Sequence, residues 1–120
     1  MAWEEALRVI SGPVLANEST KQYTFVTYSA GGFGTSSAAG VADGVLQDNP
    51  AVTGYVGLVG IEGVSKVLVG PNGVNDGDDV MVDTNGGATT KTSTNTIVGR
   101  ALATGVSGDI IPVLLRQLHG

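Results

Sequence analysis

Residues 40–69 read GVADGVLQDNPAVTGYVGLVGIEGVSKVLV, and this stretch decides the fold class. Short runs rich in valine alternate with turn residues such as Asp48-Asn49-Pro50, a pattern typical of β-strands joined by tight turns. From Val52 to Ile61 glycines recur between large residues, which predicts a strand with bulges or bends, as at the corner of a small barrel. Val64 to Val69 is predicted as the next, separate strand.

The same pattern continues on both sides of this stretch. Asn85-Gly86 predicts a type I′ hairpin turn. Pro112 has no N–H group, so its strand is expected either at a sheet edge or with that position facing outward. After Ile10 no segment keeps a helical period over three turns, so the chain is predicted to be all-β, a small barrel or a sandwich. Further strands are predicted at 21–29, 41–47, 80–83, 88–91, 96–103 and 109–118.

The composition favours a protein that works through its surface. The 120 residues suffice for one domain with a modest core. Only 14% of the residues are charged, against about 25% in a typical domain, while 42% are hydrophobic. Partners that cover much of the surface would explain this, because interface cores are depleted of charge. A solvated surface rich in threonine, serine and glycine is the alternative.

Several classes of partner are disfavoured by the sequence. The net charge is −5 and the six lysines and arginines are scattered, whereas phosphate binding needs clustered basic residues. The chain has no cysteine, which excludes disulfides and thiolate metal sites. No apolar run approaches the roughly 20 residues of a membrane span, and Glu4 and Glu5 do not suit the basic start of a signal peptide. We expect no nucleic acid, membrane or cofactor.

Residues 1–20 differ from the rest and are predicted as an N-terminal arm, followed by a single β domain at 21–120. Trp3, Leu7 and Ile10 have helical spacing, so the arm is either extended or one short helical turn that docks on a neighbour. Tryptophan is enriched at interface hot spots, which makes Trp3 a candidate contact. A role for Trp3 in its own domain's core is an equal alternative.

Candidate catalytic and ligand-binding patterns are weak. Gly31-Gly32-Phe33-Gly34 lacks the lysine of a phosphate-binding loop and the spacing of a dinucleotide fingerprint. We therefore predict that residues 30–40 form a mobile connector, with Phe33 as a candidate partner contact. The only histidine, His119, is next to the C-terminus, where a catalytic group would be poorly held. The chain is predicted not to be an enzyme.

A group of aspartates, Asp76, Asp78, Asp79 and Asp83, offers carboxylate oxygens of the kind that bind calcium. The spacing of an EF-hand is absent, because no glutamate follows at the required distance. Aspartate beside glycine is also common in tight turns, where its side chain bonds to nearby backbone. The turn interpretation is preferred, and whether a cation binds between residues 76 and 83 stays open.

Several motifs occur together in a recognisable order. Gly44-Val45 precedes the turn at Pro50, Gly63-Val64-Ser65-Lys66-Val67 follows, and then Gly77-Asp78-Asp79-Val80. The closing part contains Val98-Gly99-Arg100-Ala101-Leu102, Gly108-Asp109-Ile110 and Val113-Leu114-Leu115. In this order the chain resembles, over about residues 22–118, the small capsid decoration (cement) proteins of tailed bacteriophages. Each motif alone is a common strand and turn, and the first twenty residues match nothing in that family.

The resemblance implies a compact β-barrel or β-tulip-like domain on the outside of a phage capsid, often as a homotrimer. It implies a structural protein that is made in the host cytoplasm and binds across subunits of the major capsid protein. Such a protein stabilises the expanded shell by binding it better than other states. The predicted partner-binding residues are Trp3, Leu7, Ile10 and Phe33.

Two other functions are weighed beside it. A host-surface or carbohydrate-binding β module of a virion appendage would need exposed aromatic side chains. A small hydrolase would need a concave pocket with two converging carboxylates or a buried charge. For the binding module, the candidate exposed aromatic residues are Tyr23, Phe25, Tyr28, Phe33 and Tyr55.

Overall fold

The computed structural model describes residues 3–36, 42–92 and 96–115, which form nine β-strands and no helix. All the strand pairs between them are antiparallel, and the sheet curls into a barrel-like half-cylinder. Its order is β3-β2-β4-β5-β9-β8-β6-β7, with β1 also paired to β5. The prediction of an all-β, barrel-like domain is confirmed. The strands are β1 (Glu5–Pro13), β2 (Phe25–Ser29), β3 (Gly32–Thr35), β4 (Gly44–Leu46), β5 (Val56–Leu68), β6 (Asp79–Val82), β7 (Ala88–Thr90), β8 (Gly99–Ala101) and β9 (Ile110–Leu115).

β5 is one continuous strand of 13 residues, although the sequence predicted two strands here. Gly63 joins the two halves with φ +102°, a value that L side chains rarely adopt, and the register with β1 shifts nearby. The amide nitrogen Nε2 of Gln47 donates to Ser65 Oγ (2.9 Å), and a Cβ at Gly60 would lie 2.9 Å from the same nitrogen. Because Gly60 and Ser65 share a face, the side-chain alternation shifts by one residue between them, as in a β-bulge.

The side chains pack on both faces of the sheet around β4 and β5. Val45 belongs to the main core, while its neighbour Leu46 belongs to a smaller cluster with Val26, Phe33 and Val59, the satellite core. Successive strand residues point to opposite faces, so the two cores lie on opposite sides of β4. Each fully buried valine or leucine contributes about 1.5–3 kcal/mol through removal from water. The main core consists of Phe25, Ala42, Val45, Val67, Val69, Val74, Val80, Val82, Ala88, Val98, Ala101, Ile111, Val113 and Leu115.

The hairpin turns differ from the sequence prediction. β2 and β3 are joined by Ala30-Gly31 alone, with φ +52° and +88°, the geometry of a type I′ turn. Residues 32–35 were predicted as part of a mobile connector and instead form β3, because this two-residue turn returns the chain against β2. At Asn85-Gly86 a hairpin does form, but it has a longer loop and only Gly86 has a positive φ, so the predicted type I′ turn is wrong there.

Pro112 lies in an interior strand, since β9 pairs with both β5 and β8. Its carbonyl oxygen accepts from Leu102 N–H (3.0 Å). The N–H position of a strand residue points to the same side as its carbonyl, so the missing donor faces Leu102, just beyond the end of β8. Of the two predicted alternatives the edge strand is therefore wrong. The proline is tolerated because β8 ends before it, so its N–H position lies outside the β8–β9 ladder.

The predicted N-terminal arm is extended, and the alternative of a short helix is wrong for residues 5–13. These residues form β1, which pairs with β5 from Glu5↔Val64 to Pro13↔Val56. The helical spacing was misleading because pairing with β5 holds this segment extended. The strand is irregular near its start, where Ala6 has φ +50° and the register shifts twice between Glu5 and Val9. The segment thus contributes a strand to the same sheet as the rest of the described chain.

Candidate partner interface

The four predicted contact residues lie in different surroundings. Trp3 precedes β1 and is partly exposed, as is Ile10 within β1. Leu7 is half-buried, packs against the main core and lies beside Gly60. Phe33 is only 3% exposed and belongs to the satellite core, so its ring offers little area to a partner in this conformation. The structure brings Ile10 and Phe33 together and leaves Leu7 apart from them.

Ile10 and Phe33 meet in a groove of about 460 Å³ that opens onto the satellite core. Tyr28 forms one side of it, and its ring packs edge-on against Phe33 at a centroid distance of 5.1 Å. Gly12 permits the close approach of β1, because a Cβ there would lie 2.7 Å from the Phe33 ring. The groove is lined by Ile10, Ser11, Gly12, Pro13, Tyr28, Phe33, Asp43 and Ile61.

A second apolar surface lies on β1 and β5. Val56 and Leu58 alternate outward along β5, and Val9 lies opposite Gly60 on the paired strand. Residues two apart on a strand and residues opposite across strands share a face, so these three side chains form one patch, here called the ribbon face. Each is between 44% and 61% exposed. The sequence analysis did not select them, because their exposure depends on which strand pairs with β5.

The aromatic side chains divide into buried and exposed sets. Phe25 and Phe33 are buried, so they cannot serve as a carbohydrate platform. Tyr23 is half-buried and carries the Lys66 ammonium 5.8 Å from its ring centre. Tyr28 and Tyr55 are 52% and 58% exposed, so the aromatic requirement of the alternative function is met at two of the five positions.

The aspartate group mainly holds turns together. The Asp78 carboxylate accepts from Asn75 N–H (3.0 Å) and Thr90 Oγ (2.8 Å). Asp79 lies 3.5 Å from the Arg100 guanidinium, and Asp83 Oδ1 accepts from two backbone N–H groups of its own loop. Among the described residues no three acidic or histidine side chains are arranged to hold a metal ion. These contacts favour the turn interpretation of the sequence pattern.

Glu18 is a buried carboxyl that the sequence did not single out. It is 4% exposed, and burial raises its pKa above 4.5, while a hydrogen bond from Thr35 (3.4 Å) and the charge of Lys21 oppose that rise. Its backbone N–H donates to Pro50 C=O (2.8 Å). Glu18 does not line the groove, where Asp43 is the one charged residue among the described lining residues.

The remaining sequence predictions concern His119 and membrane spans. His119 lies outside the described residues. Within the described ranges, the structure has no helix long and apolar enough to cross a bilayer.

No family model matches the sequence, and no curated protein matches it. Among solved structures, the fold is similar to that of the N base of the head fiber protein gp8.5 in bacteriophage phi29. The TM-score is 0.75, and the match covers 93% of this chain and 96% of the other. The two sequences are 15% identical, so the likeness establishes the fold, a β domain shared over nearly its whole length.

Proposed function

We propose that this chain is a structural virion protein that decorates and stabilises the outside of a phage capsid. The observation that carries the proposal is the shared fold with the base of a phage head fiber over 93% of the chain. The resemblance of the sequence motifs to cement proteins points in the same direction. The protein acts by binding across major capsid protein subunits and not as an enzyme.

The surface of the domain suits this role. The ribbon face exposes three apolar side chains on a chain in which only 14% of residues are charged. Contiguous exposed apolar patches are a feature of protein–protein interaction sites. We assign the ribbon face to the capsid contact, with self-association as a homotrimer and synthesis in the host cytoplasm as further parts of the proposal.

Energetically, such a protein stabilises the shell because it binds the assembled lattice and not the separated subunits. The stabilisation grows with occupancy by mass action. Many equivalent copies add up even if each contact is weak. An acidic protein with a net charge of −5 is also suited to a position away from packaged DNA.

The test separates binding from folding. Deleting the N-terminal segment is not suitable, because it would remove β1 and expose the edge of β5. The double variant Val56→Thr/Leu58→Thr instead keeps β-forming residues and removes apolar area from the ribbon face. We expect it to fold normally and to cosediment poorly with heads of the virus that encodes the chain.

Val106→Thr is the matched control, since Val106 is 67% exposed but lies in the loop between β8 and β9. It should decorate heads like the wild type. Equal decoration by the double variant would remove the ribbon face from the mechanism, and absence of the wild type from the capsid exterior in a reconstruction would refute the function itself.

A second candidate is a host-surface or carbohydrate-binding module of a virion appendage. Exposed Tyr28 and Tyr55 favour it, because exposed aromatic rings are what sugar stacking requires. A glycan array decides between the two: binding that is lost in both Tyr28→Ser and Tyr55→Ser would support the second candidate.

A further inference from the structure

The groove beside Ile10 lies next to the point where the chain segments of β1 and β3 meet. The two chain segments meet at one parallel bridge between Val14 and Phe33, next to which Leu15 N–H donates to Phe33 C=O (2.9 Å). No other pairing between β1 and β3 occurs within the described part of the chain. On the N-terminal side of the bridge, residues 10–13 form one wall of a wedge and Tyr28 forms the other.

One wall of this wedge is an edge of β1 that pairs with no strand of the described chain, here called the open edge. Val14 N–H donates to Tyr55 C=O (3.0 Å) and its carbonyl accepts from Gly54 N–H (2.8 Å), so its polar groups face the β5 side. Pro13 points the opposite way, since its carbonyl oxygen lies 2.9 Å from where a Cβ of Gly32 would be. By strand alternation the N–H and C=O of Ser11 also face away from β5, into the groove.

The interior of the groove is apolar, and Asp43 is the charged side chain among its described lining residues. Ile10, Phe33 and Ile61 line it, and the Tyr28 ring stands half-exposed at its side. The Asp43 carboxylate is fixed at the wall by accepting from Tyr28 N–H (2.6 Å). A volume of about 460 Å³ falls within the range of sites that bind small ligands.

We propose that this groove binds an extended peptide segment of another protein, which adds to β1 as a further strand. The segment places one bulky apolar side chain between Ile10 and Tyr28 and a basic residue near Asp43. An open strand edge selects an extended backbone, and pockets beside it select the side chains.

Charge decides the choice of occupant. The groove carries Asp43 and the whole chain has a net charge of −5, so a second copy of this acidic chain is less suited than a basic partner segment. The inference does not depend on where the protein sits in a virion, and it concerns a surface other than the ribbon face.

The test uses the full chain and the peptide acetyl-Thr-Lys-Thr-Phe-Thr-Lys-Thr-amide, in which the lysines share a strand face with the phenylalanine, titrated by NMR or calorimetry. We expect saturable binding with a Kd below about 1 mM. Ser11→Pro removes the N–H that faces the groove and should weaken binding at least about tenfold with unchanged thermal stability, as proline is tolerated at outward-facing edge positions. Ser11→Ala keeps the N–H and should bind like the wild type.

A second measurement keeps the proposal testable if Ser11→Pro does not fold. Replacing both lysines of the peptide by glutamate should weaken binding at least about tenfold. The variant Asp43→Asn retains an acceptor for Tyr28 N–H. In this variant the affinities for the lysine peptide and the glutamate peptide should differ less than in the wild type. No saturable binding of the lysine peptide, or equal binding by Ser11→Pro, overturns the proposal. So does self-association of the wild type that light scattering shows to be lost in Ser11→Pro, because the occupant is then a second copy.

Discussion

The carboxylate of Asp83 packs against the backbone of Gly70, so closely that a Cβ at residue 70 would collide with Asp83 Oδ2. Oδ1 of the same carboxylate accepts from Asn85 N–H (2.7 Å) and Gly87 N–H (2.9 Å) and so fixes the β6–β7 loop. Gly70 N–H in turn donates to Ala88 C=O (2.8 Å), the first residue of β7. The loop and the segment after β5 are therefore locked together around one carboxylate.

This contact predicts a coupled pair of variants. Gly70→Ala should lower the free energy of unfolding by about 2–3 kcal/mol, because the methyl group overpacks a buried site. Asp83→Ala should cost about 2 kcal/mol through loss of two hydrogen bonds to a charged acceptor. In the double variant the clash with Oδ2 is gone, so the combined cost should be at least about 1 kcal/mol less than the sum. Urea unfolding at neutral pH measures all three.

Gly34→Ala is the matched control for that cycle, since a Cβ there meets only an ordinary contact with Leu15 at 3.5 Å. Its effect should stay within about 0.5 kcal/mol. Strict additivity of the Gly70 and Asp83 variants would contradict the contact.

The turn between β2 and β3 predicts a stabilising substitution. Ala30 has φ +52°, a conformation that costs an L residue about 1 kcal/mol and that asparagine tolerates better. Ala30→Asn should therefore raise the free energy of unfolding by about 0.5–1 kcal/mol. Ala30→Val should lower it, because a β-branched side chain fits a positive φ poorly. Thermal or urea unfolding checks the order Asn > Ala > Val; valine at least as stable as asparagine would rule out the type I′ turn.

Glu18 predicts a pH dependence of stability. Burial raises the pKa of its carboxyl above 4.5, so the folded protein holds this proton more tightly than the unfolded chain does. The stability associated with the protonated carboxyl is fully present below pH 4.5 and is lost as pH rises through the folded-state pKa. Glu18→Gln cannot ionise and retains an acceptor for Thr35, so it should gain stability over the wild type as pH rises.

The measurement is urea unfolding of both proteins between about pH 4 and pH 7. The difference in midpoint should grow in favour of the Glu18→Gln variant through the lower part of this range and then level off. A difference that does not change with pH would show that Glu18 ionises equally easily in the folded and unfolded states.

Local features of the sequence predicted much of the secondary structure. Val80 and Val82 were expected on one face of a strand and are both buried, and the pair Ser65 and Val67 behaves in the same way. Strand propensity and side-chain alternation act over a few residues, so they can be read without knowing the neighbours. The turn type was less predictable, because the favourable Asn85-Gly86 pair lies in a loop that Asp83 holds in another geometry.

The candidate site depended on contacts between distant residues. Ile10 was selected for its helical spacing with Trp3 and Leu7, and it lines the groove from a strand instead. Phe33 proved buried, because β3 folds back on β2 and carries its ring into the satellite core. Val56 and Leu58 were not selected, because the sequence does not show that this part of β5 pairs with β1, or that the main core does not extend over these two side chains.

The sequence by itself determined that this chain is a β protein with frequent turns, little charge and few residues suited to catalysis. Propensity, turn chemistry and composition are properties of short segments, so they need no partner to act. Only the tertiary structure decided that β5 is one bulged strand, that two cores lie on opposite faces of β4, and that β1 lies against β5 with an open edge beside the groove. Those outcomes depend on which strands pair and in what register, and a one-residue shift such as that at Gly63 exchanges the buried and exposed faces of a strand.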